Sequence, residues 1–131
     1  MGRVLLVEDN AALAENLAEI LSERGCEIAM AGTGERALEV LGAGVFDAIV
    51  TDLRLPGISG LDLLRAARRA GCAAPAVVIT AFADGPTSAM AEELGALGVL
   101  AKPVNLERLF ELVDGVLQRS RAGAPWPRPP H

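Results

Sequence analysis

Two cysteines and one histidine are all that this chain of 131 residues offers a zinc-type metal site beyond its carboxylates. Cys26 and Cys72 form no Cys-x-x-Cys pair and have no histidine or further cysteine at metal-binding spacing. That speaks against a thiolate metal centre or a redox pair, and both are expected as small buried hydrophobes. No apolar run approaches the length of a membrane span, because "VLLV" is ended at once by Glu8 and Asp9. The start, "MGRVLLVEDN", has no small-residue cleavage site, and Leu6 stands where a myristoylation pattern needs Ser or Thr. A cytoplasmic protein is the expectation. A positive excess is missing too: the net charge is −5, which argues against nucleic acid as a direct partner. No internal repeat is present. The length fits one domain with a real core.

What the chain does have is alternation. "RVLLV" (Arg3 to Val7) is short and apolar, as a strand covered on both faces should be. "AALAENLAEILSERG" comes next with Leu13, Leu17, Ile20 and Leu21 on one helical face, Asn10 as N-cap and Gly25 as the stop. "CEIAMA" is a weaker second strand, and "TGERALEVLGAG" a short helix capped by Thr33. "FDAIVTD" and "SGLDLLRAARRAG" are the third strand and helix. "PAVVIT" is a fourth strand suited to the middle of a sheet. "DGPTSAMAEELGA" is a modest helix whose start Gly85 and Pro86 are expected to delay, and "GVLA" a short fifth strand. The last helix, "NLERLFELVDGVLQRS", has Asn105 as N-cap and Leu106, Leu109, Phe110, Val113 and Leu117 toward the core. Five strands alternating with five helices predict an α/β fold, a parallel sheet wrapped on both faces. The folded unit is expected over 1–120, with a Pro- and Arg-rich tail or linker remnant over 121–131.

In open α/β sheets, functional groups collect beyond the carboxyl ends of the strands. The first strand here ends in Glu8-Asp9, the third in Asp52, the fourth in Thr80 and the fifth in Lys102-Pro103. If strands one and three are neighbours, roughly 4.8 Å apart, the three acids share one cleft. Two carboxylates about 4 Å apart repel by roughly 4 kcal/mol at an effective dielectric near 20. Lys102, the one cation at a strand end, cannot neutralise all three acids. The deficit favours a divalent cation, and an oxygen-rich donor set suits Mg²⁺ better than Zn²⁺. A carboxylate facing a metal, a lysine and a hydroxyl has the parts for phosphoryl transfer, with Asp52 as nucleophile.

"VLLVEDN", "VTDLRLPGISGLDLL", "VVITA" and "GALGVLAKPV", in this order, resemble the receiver domain of two-component response regulators, the chemotaxis-regulator-like fold. The resemblance runs from Arg3 to about Arg119. It implies a flavodoxin-like, doubly wound sheet of order 2-1-3-4-5 and a phosphorylated Asp52. It further implies Mg²⁺ held by Asp9, Asp52 and the backbone carbonyl of Arg54, with Glu8 acting through water. Thr80 and Lys102 would contact the phosphoryl group, and Lys102-Pro103 would be a cis peptide. The implied donor is a histidine kinase or phosphotransfer protein, docking over Asn10 to Leu13 and the Val104-Asn105 loop. The implied output is a shift of the surface formed by helix four, strand five and helix five, read by an output domain or a downstream protein. Such a domain catalyses its own phosphorylation and slow hydrolysis, so it is an enzyme only in part.

The chain departs from the family pattern at Val99, where an aromatic residue usually swings inward; no large rotamer switch is expected, and coupling to the output face is expected to be weaker or to run through backbone shifts. Arg54 and Phe82, each two residues past a site residue, are candidates to flank the phosphoryl group; the competing reading makes them plain loop side chains. Two other readings compete with phosphorylation. One is a pseudo-receiver that binds partners without being phosphorylated. The other, from a different class, is a small dinucleotide-binding protein: "GTGERA", Gly32 to Ala37, fits G-x-G-x-x-A between a strand and a helix, with Asp52 at the distance of a ribose-binding acid. Thr33 simply capping a helix is favoured over that. His131, the lone histidine, reads as inert, and Trp126 as exposed tail.

Overall fold

The structure, a computed structural model, describes residues 2–121. The expected tail, with Trp126 and His131, lies from Ala122 onward outside them. Strands β1 (Arg3–Val7), β2 (Glu27–Ala31), β3 (Ala48–Asp52), β4 (Ala76–Thr80) and β5 (Ala96–Ala101) alternate with helices α1 (Ala11–Glu23), α2 (Gly34–Ala43), α3 (Gly60–Arg69), α4 (Gly85–Glu93) and α5 (Leu106–Arg121). All pairings are parallel, in the order β2-β1-β3-β4-β5. The fold is the flavodoxin-like one expected.

Alternation along the central strands explains why helices cover both faces. Val4, Leu6, Val50, Val77 and Ile79 point one way, into a cluster with Leu17 and Leu21 of α1 and Leu109, Val113 and Leu117 of α5. Leu5, Val7, Ile49 and Val78 point the other way, against Ala37, Leu63, Leu64 and Ala91 from α2, α3 and α4. Residues of β3 and β4 are buried throughout. Full burial of each Leu, Ile or Val contributes about 1.5–3 kcal/mol, so the middle of the sheet anchors the fold. Asp52 and Thr80 stand at its carboxyl edge.

Several expectations need correction in detail. Gly85 and Pro86 do not delay α4; they are its first residues, behind an N-cap made by Asp84. A proline is tolerated there because its missing N–H would have had no intrahelical partner. β5 is longer than "GVLA" and begins at Ala96, with an irregularity in its pairing to β4 between Ala76 and Val77. β2 and β3 begin at Glu27 and Ala48, slightly later than expected. Ala14, not Ile20, is buried with Leu17 and Leu21 on α1. Cys26 is buried, but Cys72 is only half-buried.

The expected caps Asn10, Thr33 and Asn105 do accept from the amides of Leu13, Arg36 and Arg108. At α3, Ser59 and Asp62 form a reciprocal capping box. The Ser59 amide and hydroxyl hold the Asp62 carboxyl below its ordinary 3.8, and the Thr87 amide does the same for Asp84. A depressed folded-state value means stability that is present above 3.8 and lost as pH falls through the lowered value. Thermal midpoints followed into acid should therefore drop less steeply in Asp84→Asn, which keeps a capping oxygen but does not titrate. An unchanged acid limb would contradict this.

Candidate functional site

The carboxyl ends of β1, β3, β4 and β5 open on one side of the sheet, and the strand-end residues meet there. Glu8 continues β1, its amide donating to the Ala31 carbonyl at 3.1 Å. It is 3% exposed. Its carboxylate is held twice: Oε2 accepts the Asn10 amide at 3.1 Å and Oε1 accepts Lys102 Nζ at 2.9 Å. Asp52, 4% exposed, accepts the Arg54 amide on Oδ1 at 3.1 Å and Lys102 Nζ on Oδ2 at 2.6 Å. Lys102 thus bridges the two buried acids. Asp9 is exposed and lies beside them; one carboxylate oxygen from each of Glu8, Asp9 and Asp52 falls within 4.8 Å of the others. The acid cluster expected from the strand ends is present.

The charges register this crowding. Burial pushes the Glu8 carboxyl above its ordinary value, against the opposing hydrogen bonds from Lys102 and Asn10. Burial also works against the Lys102 ammonium, but its hydrogen bonds to Asp52 and Glu8 outweigh that and leave its pKa raised. Each partner keeps the lysine charged; one lysine still faces three acids. An all-oxygen donor set with a net negative charge and no His or Cys fits a hard divalent cation such as Mg²⁺.

Thr80 ends β4 fully buried; its Oγ1 accepts the Phe82 amide at 3.1 Å and its carbonyl accepts the Lys102 amide at 2.8 Å. β4 and β5 are tied together at the site by that second bond. Lys102-Pro103 is a cis peptide, as the resemblance implied. Val99 is half-buried, packed against the cluster of Ile49, Leu64 and Val78. Arg54 and Phe82 are both exposed, and the guanidinium lies 4.8 Å from the ring centroid.

Three features went unforeseen in the sequence. The Arg54–Phe82 contact itself could not be read from either loop alone. The Thr51 hydroxyl donates to the Asp52 carbonyl at 2.9 Å, bracing the strand end. Gly60, first residue of α3, packs on that same peptide: a Cβ there would strike the Asp52 carbonyl oxygen and reach Leu53 Cα at 3.0 Å. The signal available was a glycine at a helix start already capped by Ser59, where nothing local requires one.

Gly32 to Ala37 is used differently from a dinucleotide loop. Thr33 Oγ1 takes the Arg36 amide at 3.0 Å, and the Ile58 side chain fills the space beside Gly34. The close backbone approach that Gly34, the second glycine, would offer a pyrophosphate is taken by protein.

The family model described as "Response regulator receiver domain" matches residues 4–114. A response regulator receiver protein from Anaeromyxobacter sp. is 43% identical over 112 residues, which is 86% of this chain and 47% of that protein. The transcriptional regulatory protein TcrA of Mycobacterium tuberculosis is 33% identical over 128 residues, 98% of this chain and 49% of TcrA. The chain spans about half the length of these curated relatives. Among solved structures, the response regulator TrrA of Thermotoga maritima, in complex with Mg²⁺ and BeF, is 32% identical with a TM-score of 0.79, covering 88% of this chain and 99% of that one. With the strand order, the clustered acids and the bridging lysine in place, this chain belongs to the response regulator receiver domain family of two-component signalling.

Proposed function

We propose that Asp52 is the phosphoacceptor of this receiver, taking a phosphoryl group from a histidine kinase or phosphotransfer protein. The observation that carries this is the Lys102 bridge between Asp52 and Glu8, with Asp9 alongside. A buried carboxylate with its counter-ion at the mouth of a cleft is poised to react rather than merely packed.

In the step itself an Asp52 carboxylate oxygen attacks phosphorus while the bond to the donor's nitrogen breaks, giving an aspartyl phosphate and a free donor imidazole. Asp9, Asp52 and the Arg54 carbonyl would hold Mg²⁺, with Glu8 acting through water. When bound, Mg²⁺ would offset charge on the phosphoryl oxygens. Lys102 transfers its hydrogen bond from Asp52 to the incoming oxygens. Thr80 Oγ1 already accepts the Phe82 amide, so its own proton is available to donate to them. The added charge, about −1.5 to −2, draws these two side chains and the loops behind them toward Asp52. That biases the surface formed by α4, β5 and α5 toward a second state. Val99 is a short, half-buried β-branched side chain with no aromatic ring to swing, so the signal passes through the backbone.

The receiver is assigned to 1–120. Arg121 still belongs to α5, and the residues after it are read as a tail or linker remnant, since the matched relatives are about twice as long. The donor would dock over Asn10 to Leu13 and Val104-Asn105, which rim the site.

Incubation with Mg²⁺ and acetyl phosphate, followed by intact mass, tests the reading. One phosphoryl adduct that requires Mg²⁺ supports it; an unmodified protein favours a pseudo-receiver.

Arg54 and Phe82 are assigned to shielding the phosphoryl group from water. Arg54→Ala and Phe82→Ala should each shorten the adduct's lifetime about two- to fivefold, the equivalent of the ~0.5–1 kcal/mol of an exposed cation–π pair. Unchanged decay in both would return them to plain loop side chains.

A further inference from the structure

The two ends of α4 are held very differently. At the carboxyl end, Arg68 reaches across from the last turn of α3. Its Nε donates to the Leu94 carbonyl at 2.7 Å, and its Nη1 donates to the carbonyls of Cys72 at 3.0 Å and Ala74 at 2.7 Å. Leu94 is the C-cap of α4, and Cys72 to Ala74 lead into β4. Helix ends leave carbonyls without intrahelical partners, and a planar fork of donors can hold several in fixed directions where an ammonium cannot. Gly95 completes the joint: its φ is +89°, and a Cβ there would come within 2.7 Å of the Arg68 guanidinium.

Packing does little to fix the rest of the helix. α4 buries only Ala91, whereas α3 buries Gly60, Leu63, Leu64 and Ala67. Residues 81–86, which lead into and open α4, are exposed throughout. That loop is nonetheless tied to the site, because the Phe82 amide donates to Thr80 Oγ1. A pull on Thr80 therefore enters α4 at its loose end and meets a clamp at the other.

We infer that Arg68 is the pivot of the output response, a positioning residue that pins Leu94 and Gly95 so that displacement at Thr80 becomes a swing of the amino end of α4. The inference rests on the phosphoacceptor reading. Hinges of this kind are a few positions at element ends. Val99 offers no aromatic swing, so the backbone from Thr80 through Phe82 carries the pull into α4, while Arg68 holds the far end.

Backbone amide spectra with Mg²⁺, before and after beryllofluoride, read this directly. The 131-residue chain should shift strongly from Thr80 through Thr87, with changes fading toward Leu94–Leu97. In Arg68→Met the fade should disappear, changes at Leu94–Leu97 rising to the size of those at Thr87; Arg68→Lys should fall between. A purely structural role would lower the thermal midpoint of Arg68→Met and leave the profile as in the parent, which would overturn the pivot. If Arg68→Met does not fold, the parent profile decides: a response as large at Leu94–Leu97 as at Ala81–Thr87 overturns the pivot. Absence of any response at Thr80 overturns the phosphoacceptor reading, and the pivot with it.

Discussion

Asp52→Asn should abolish the phosphoryl adduct completely and leave the fold intact. Asparagine keeps the shape and an oxygen that can accept the Arg54 amide, now bonded to Asp52 Oδ1 at 3.1 Å. What disappears is the anionic nucleophile. Lys102 loses a partner at 2.6 Å but retains Glu8 at 2.9 Å. Removing one of three crowded acids also relieves repulsion, so the stability change should stay within about 1 kcal/mol. Intact mass after acetyl phosphate treatment and a melting curve check both halves. An adduct surviving in a folded Asp52→Asn protein would place the acceptor elsewhere.

Lys102→Met should have the second-largest effect, and its signs should split. The variant leaves Glu8 and Asp52, 3% and 4% exposed, facing each other without a counter-ion. Breaking a fully buried pair costs about 3–5 kcal/mol. The Lys102 side chain keeps 25% of its surface in solvent, so a loss of roughly 2 kcal/mol is expected here. Phosphorylation should slow by roughly a hundredfold, the usual effect of removing one fixed donor to a developing anion. Magnesium should bind more tightly than in the parent, since the ammonium no longer competes for the same carboxylates. Added Mg²⁺ should also restore much of the lost stability. A Lys102→Met protein as stable as the parent, with unchanged magnesium affinity, would contradict the bridge as the organising contact.

The fold was legible because each level of the sequence agreed. The short apolar, Val-rich runs "VLLV" and "AVVI" suit strands covered on both faces, and the caps at Asn10, Thr33 and Asn105 mark helix starts. The errors fall where local rules conflict. Gly85 and Pro86 weaken a helix interior but suit its first turn, and only the Asp84 cap decides between the two. β5 extends back to Ala96 because pairing with β4 outweighs the poor strand preference of Ala and Gly. The site was legible for a different reason. Parallel topology sends every strand end to the same side, so the residues just past the apolar runs converge on one mouth. Contacts between loops escaped this logic: Arg54 meeting Phe82, Gly60 packed on the Asp52 peptide, and Arg68 crossing to Leu94 depend on the third dimension alone.

Magnesium titration by calorimetry, comparing the chain with Asp9→Asn, tests the central claim most directly. Asp9 is exposed and makes no bond to Lys102 in the structure, so its loss should spare the fold and the bridge. Saturable uptake of one ion at millimolar Mg²⁺, weakened at least about tenfold in Asp9→Asn, is the predicted result. No heat at millimolar magnesium, or the same affinity with and without the Asp9 carboxylate, would contradict a shared metal site at the mouth of the sheet.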